Sequence, residues 1–228
     1  MMPNPTLLLM RLEGPMQSWG TRARWDIRDS ADEPTKSGVI GLIGCTLGYP
    51  MYDSRLADEL DANIRMGVRV ENKGEPIDDY HTITGMLPTA EGGYKDATII
   101  SKRTYLQDAS FLVVLEGPDD LLKRIRDALL DPKWPVYLGR KSCIPTRPIF
   151  EALTTEYASI EDALKKYPWS AATLEIRGIR PENRLLCVIE DEHGKHERND
   201  KIQINPARMY GMRRVSEIAV DMPAIKEE

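Results

Sequence analysis

The sequence predicts an α+β protein: a ferredoxin-like βαββαβ core, a long insertion, and a smaller, mostly β C-terminal subdomain. Three observations predict it. Strand-like and helix-like segments alternate in that order through residues 1–148. The stretch 72–103, between the second and third strands, is far longer than a simple connection, and stretches of that length are usually functional or disordered. From 149 the pattern changes to short alternating segments with turn signals, which sets the second unit at 149–228.

Thr6–Glu13 reads as the first strand. Leu7, Leu8, Leu9 and Met10 are apolar on both faces, which marks a central strand, and Gly14-Pro15 ends it. Pro34–Gly48 reads as the first helix, with Thr35 as its cap. Val39, Ile40, Leu42, Ile43 and Leu47 share one face of it, and Gly38, Gly41, Gly44 and Gly48 share the adjacent one. An interior glycine costs a helix about 0.5–1 kcal/mol against alanine, so this stripe points to a close approach by a strand, a subunit or a nucleic-acid backbone. Ile64–Glu71 alternates as a second strand. Tyr105–Leu115 reads as a third strand. Pro118–Asp131 reads as a second helix, with Leu121, Leu122, Ile125 and Leu129 inward. Trp134–Leu138 reads as the fourth strand. In the tail, Ala152–Tyr167 suits a helix, Thr173–Gly178 and Leu185–Asp191 suit strands, and Glu192–Lys195 suits a turn.

The chain has 228 residues and a net charge of −5, which excludes a protein that coats nucleic acid by bulk attraction. Positive charge is local: residues 95–147 carry ten basic against seven acidic side chains, while the flanking stretches are acidic. At physiological salt, screening confines such a field to about 8 Å, so a local strip still holds phosphates. Cys45, Cys143 and Cys187 are scattered and odd in number, which fits a reducing cytoplasm and no disulfide framework. No stretch approaches the about 18 apolar residues of a membrane span.

The candidate site residues follow from this strip. Arg22, Arg24 and Arg28, beside Trp25, precede the glycine helix, and arginine with tryptophan suits phosphate and base stacking. Lys36 and Ser37 open the helix, where free N–H groups and the dipole favour phosphate. Tyr80, His81, Lys102 and Arg103 lie in the insertion, and Arg140, Lys141 and Arg147 follow the expected fourth strand. The loops after the first and last strands are expected to emerge at one end, so that these charges converge on one RNA segment. The Lys36-Ser37 pair lacks the preceding glycines of a Walker A loop, which excludes that ATPase class. Tyr80, His81 and Lys102 are the one set suited to acid/base RNA cleavage. His193 and His196 sit in an acidic turn, and no metal or other cofactor is expected. The βαββαβ order is also that of RNA-recognition motifs, but an aromatic RNP1 sequence is absent, so base stacking on the sheet face is not expected.

Five segments, in order, carry a resemblance: Leu9–Gly20, Pro34–Gly44, Asp79–Thr82, Tyr105–Phe111 and Tyr137–Cys143. They resemble the CasD family, subunits of Cascade, the type I-E CRISPR surveillance complex, within the RAMP superfamily of ferredoxin-fold RNA-binding proteins. The resemblance implies a non-catalytic subunit that caps the 5′ handle of the CRISPR RNA in antiviral defence. It implies contacts with the backbone subunit and the large PAM-reading subunit, with target DNA met only through the complex. It implies that 72–103 acts as a thumb over the RNA. The alternative is a metal-independent endoribonuclease like the type I-C relatives, which requires a tyrosine, lysine and histidine constellation.

Overall fold

The computed structural model describes residues 3–21, 27–170, 183–204 and 207–226. In chain order the elements are β1 (Leu7–Glu13), β2 (Met16–Gln17), β3 (Ile27–Arg28), α1 (Lys36–Leu47), a π-helical turn (Leu56–Asp61), β4 (Arg65–Asn72), β5 (Glu75–Pro88), β6 (Tyr94–Gln107), β7 (Ser110–Glu116), α2 (Asp119–Leu130), β8 (Phe150–Thr154), α3 (Ile160–Lys166), β9 (Trp169–Ser170), β10 (Arg184–Glu190), β11 (His196–Ile204), β12 (Arg208–Asp221) and β13 (Ile225–Lys226).

A seven-stranded antiparallel sheet, ordered β11-β12-β10-β4-β7-β1-β8, organises the chain. β1 is buried along its whole length, as its unbroken apolar run requires. Leu8, Met10 and Leu12 face α1 and α2, while Leu7 and Leu9 face α3. Each such leucine stabilises the fold by about 1.5–3 kcal/mol when fully buried. Thr35 caps α1, its hydroxyl accepting from the Gly38 N–H at 3.3 Å. The helical glycines meet close neighbours: a Cβ on Gly38 would press on the Trp19 ring, and one on Gly44 on Leu56.

The structure corrects four expectations. Trp134–Leu138 is not a strand; the strand beside β1 is Phe150–Thr154, which overlaps the first residues of the helix expected over Ala152–Tyr167. Pro135 has no N–H to give a ladder, and the chain there runs irregularly past α1. The helix itself is short, Ile160–Lys166, and starts where Ser159 accepts from the Asp162 N–H at 3.1 Å. The third strand is two: Asp108, with φ of 57°, breaks β6 from β7. The boundary at 148/149 falls within the sheet, because residues 149–228 supply β8, β10, β11 and β12 to it. The expected strand Thr173–Gly178 lies outside the described residues.

The stretch expected as a long excursion is a β-ribbon. β5 and β6 are 14 residues each and pair in register from Glu75↔Gln107 to Pro88↔Tyr94. Its base joins the body where β2 and β3 flank β6, with Met16 opposite Gln107 and Arg28 opposite Arg103. No helix among the described residues is long and apolar enough to cross a membrane.

Candidate nucleic-acid interface

Three distant parts of the chain meet at the base of the ribbon. β3 lies parallel to β6 and sets Arg28 beside Arg103. From the other side, Arg140 Nη2 donates to the Arg28 carbonyl at 2.8 Å, and the Arg140 guanidinium stands 4.6 Å over the Tyr105 ring. Arg140 Nη1 and Arg103 Nε are shielded from solvent, yet neither has a hydrogen-bond partner among the described residues. A buried donor without a partner costs about 1–3 kcal/mol, so an acceptor brought to these guanidinia would be stabilised there. A phosphate has the oxygens and charge to serve.

The loop that carries Arg140 is fixed by its backbone. Ser18 N–H donates to the Leu138 carbonyl at 3.1 Å, and Leu138 N–H to the Cys143 carbonyl at 2.7 Å. Gly139 has φ of 86°, and a Cβ there would fall 1.7 Å from the Ser18 carbonyl oxygen, so only glycine is accommodated. The segment after β1 and the irregular segment before β8 are thus joined by backbone hydrogen bonds, although no fourth strand at Trp134–Leu138 leads into the latter.

Beside this cluster runs a groove of about 1100 Å³. Its floor is α1 at Gly38 and Gly41. Trp134, Lys141, Arg208 and Tyr210 also line it. Gly41 leaves the helix backbone open: the nearest atom to a Cβ built there is Arg208 Nη2, at 3.7 Å. Arg208 donates to the Ser37 carbonyl at 3.3 Å and lies 5.6 Å from the Tyr210 ring, while its Nε lacks a partner among the described residues. Cys45 also lines the groove; burial pushes its thiol pKa up, and nearby Lys141 opposes that. Arg208, Tyr210 and Trp134 are absent from the sequence-based set. The one sequence signal for them is arginine placed two residues before an aromatic, as in Arg208 and Tyr210.

Lys36 is a correction. It is 2% exposed, and its Nζ donates to the Asp61 carbonyl at 2.9 Å and to Glu190 Oε1 at 3.0 Å. Its backbone N–H donates to Asp200 Oδ2 at 2.7 Å, so the helix start already holds a carboxylate. Asp61 is itself buried, and burial raises its carboxyl pKa while Lys36 opposes the rise. Ser37 is buried at the groove and Lys141 is exposed on it. Arg147 is drawn away, 3.0 Å from Glu151. Arg22 and Arg24 lie outside the described residues.

In the ribbon, residues opposite one another share a face and neighbours along a strand do not. Tyr80 is paired with Lys102, Asp79 with Arg103 and His81 with Ser101. Tyr80 and Lys102 thus occupy one face, and His81 and Arg103 the other. Sequence adjacency suggests one acid/base set; the pleat divides it. Among the described residues no group of three or more His, Cys, Asp or Glu is gathered to hold a metal.

Residues 7–216 match the model of a family described as CRISPR-associated protein (Cas_Cas5). A curated relative, the CRISPR system Cascade subunit CasD of Escherichia coli (strain K12), is 33% identical over 171 residues, covering 70% of this chain and 76% of that one. A solved structure described as a CRISPR RNA-guided surveillance complex superposes with a TM-score of 0.76 at 29% identity, over 96% of this chain and 92% of that chain. A second, described as a crystal structure of a Cas protein, gives a TM-score of 0.69 at 35% identity, over 96% and 98%. With its arginine cluster, its groove and a match along nearly its whole length, the chain belongs to the Cas5 family of CRISPR-associated proteins.

Proposed function

We propose that this chain is a non-catalytic subunit of a Cascade surveillance complex that grips the 5′ handle of the CRISPR RNA. The observation that carries the reading is the cluster of Arg28, Arg103 and Arg140, in which Arg103 Nε and Arg140 Nη1 are shielded and unpartnered among the described residues and suit an anion. The groove beside it adds a glycine floor, aromatic rings and Arg208, which suit a nucleotide next to a phosphate. The strand order β8-β1-β7-β4, with α1 and α2 on one face, supports a ferredoxin-like core. The β5–β6 ribbon then acts as the thumb over the RNA, and the neighbouring backbone and PAM-reading subunits complete the site. Guide RNA held this way serves antiviral defence, with target DNA met through the complex. Repeat cleavage of the type I-C kind is the other reading, and the division of Tyr80 from His81 between two faces speaks against it.

Filter binding of handle-bearing RNA across a salt series, without metal, tests this. Handle RNA binds more tightly than a scrambled sequence, log affinity falls linearly with log salt, and the RNA is recovered intact. Equal affinity for both RNAs, or site-specific cleavage abolished by His81→Ala, overturns the reading.

A further inference from the structure

We propose that Asp200 is the positioning residue of the groove: its carboxylate ties the β11–β12 ribbon to the start of α1, and that tie sets where Arg208 and Tyr210 stand. The inference rests on reading the groove as part of the RNA site. β12 is long and does two jobs. Its second half, from Val215 to Asp221, pairs with β10 and belongs to the sheet. Its first half, from Arg208 to Arg214, pairs only with β11, the edge strand. The overhanging part is a two-stranded ribbon, which is marginal on its own in water.

Asp200 anchors the overhang. It is 4% exposed, and its ladder register is interrupted between Arg198 and Lys201, which turns it inward. Oδ2 accepts from the Lys36 N–H at 2.7 Å and from Arg213 Nη2 at 2.8 Å; Oδ1 accepts from Arg213 Nε at 2.9 Å. One carboxylate thus joins the first residue of α1 to both ribbon strands. Arg198 adds a tie nearby, its Nε donating to Glu33 at 2.7 Å. Five residues back from Arg213 along β12, Arg208 reaches the Ser37 carbonyl across the groove. This part of the groove lining is therefore carried by a segment held by the charge tie and by the packing of Ile202 into the core, not by the ladder of the main sheet.

Cys45 gives a readout that needs no RNA. It is the half-buried thiol on the groove, whereas Cys143 and Cys187 are buried. In Asp200→Asn, amide exchange over residues 201–214 and alkylation of Cys45 both quicken about tenfold to a hundredfold, the factor for a lost charged hydrogen bond. Exchange in β1 and β7 stays at the native rate, and handle affinity falls. Arg208→Ala lowers handle affinity with no change in ribbon exchange, and Asp200→Glu, which keeps the charge, recovers most of the native protection. Native rates at Cys45 and over 201–214 in Asp200→Asn overturn the proposal. Faster exchange throughout the sheet, or a variant that does not fold while Asp200→Glu keeps native rates at both probes with lowered overall stability, assigns Asp200 a purely structural role and overturns it equally. If the native protein binds no handle RNA yet Asp200→Asn frees the ribbon, the RNA reading of the groove fails and the tie stands.

Discussion

Two arginine clusters in this molecule have opposite fates. Under α3, Arg11 and Arg69 are each at most 1% exposed, and both are paired with Glu71. Arg11 also meets Glu151 at 3.1 Å, and Arg69 donates to the Leu164 carbonyl at 2.6 Å and the Tyr167 carbonyl at 2.8 Å. Tyr167 donates to Glu151 at 3.0 Å, and burial pushes its phenol pKa up. At the ribbon base, Arg140 faces the Arg28 carbonyl and the Tyr105 ring, and Arg103 and Arg140 each keep a shielded donor without a partner among the described residues. Arg69 Nε lacks a partner there too, but carboxylates of the chain answer both guanidinium charges of the first cluster, which belongs to the fold. In the second cluster no carboxylate among the described residues pairs with Arg103 or Arg140. What separates the two is whether the chain supplies the counter-charge.

Glu71→Gln is the hardest test of the carboxylate-paired cluster. It leaves two buried guanidinium groups short of a carboxylate and lowers the unfolding free energy by about 3–5 kcal/mol. Urea melts measure it, and a drop under about 1 kcal/mol would show that the network contributes little to the native state. Arg140→Ala and Lys36→Met sharpen the contrast. Arg140→Ala flattens the salt slope of handle binding by about 0.7 for each phosphate it no longer neutralises, and changes stability little. Lys36→Met does the reverse: it removes the nearer of the two cations on Glu190, leaving the Met66 N–H and Arg213 at 4.0 Å, and costs stability, while the slope stays native. A flattened slope in Lys36→Met would return that amine to the RNA site.

The smallest effect is on pH dependence. Burial holds the Asp61 carboxyl pKa above the ordinary aspartate value of about 3.9. Between the ordinary and raised values the folded protein keeps a proton that the unfolded chain has released. Stability from this group therefore falls as pH rises from the ordinary value through the raised one. Asp61→Asn removes that fall, so melts from about pH 4 to 7 give a flatter profile for the variant. Identical profiles would mean that Lys36 offsets the burial completely.

Much of the fold is legible in the sequence because local patterns decide it. Leu7–Met10 announces a central strand, Thr35 a helix start, and Leu121, Leu122 and Ile125 an inward helix face. The fourth strand is misplaced because Trp134–Leu138 is the more apolar run, while Phe150–Thr154 is a half-buried edge whose neighbours favour helix. The ribbon is hidden because glycine and charge mask its Thr- and Ile-rich pairs, such as Ile83 opposite Ile99. The site is legible in part. Arg28, Arg103 and Arg140 carry charge that the sequence displays. The burial of Lys36 depends on Glu190, 154 positions away, which no local pattern reports. Arg208 enters the groove through the same kind of long-range contact.

The β5–β6 ribbon is also a lever. From Arg103 to Tyr94 it runs nine residues, about 30 Å at about 3.3 Å each. The fulcrum is the ladder with β2 and β3, where the arginine cluster sits. A turn of about 10° there carries the tip about 5 Å by simple trigonometry on that length. A small change of angle at the fulcrum is thus enlarged at the far end of the arm, and the amplification needs no chain of side-chain contacts along the way.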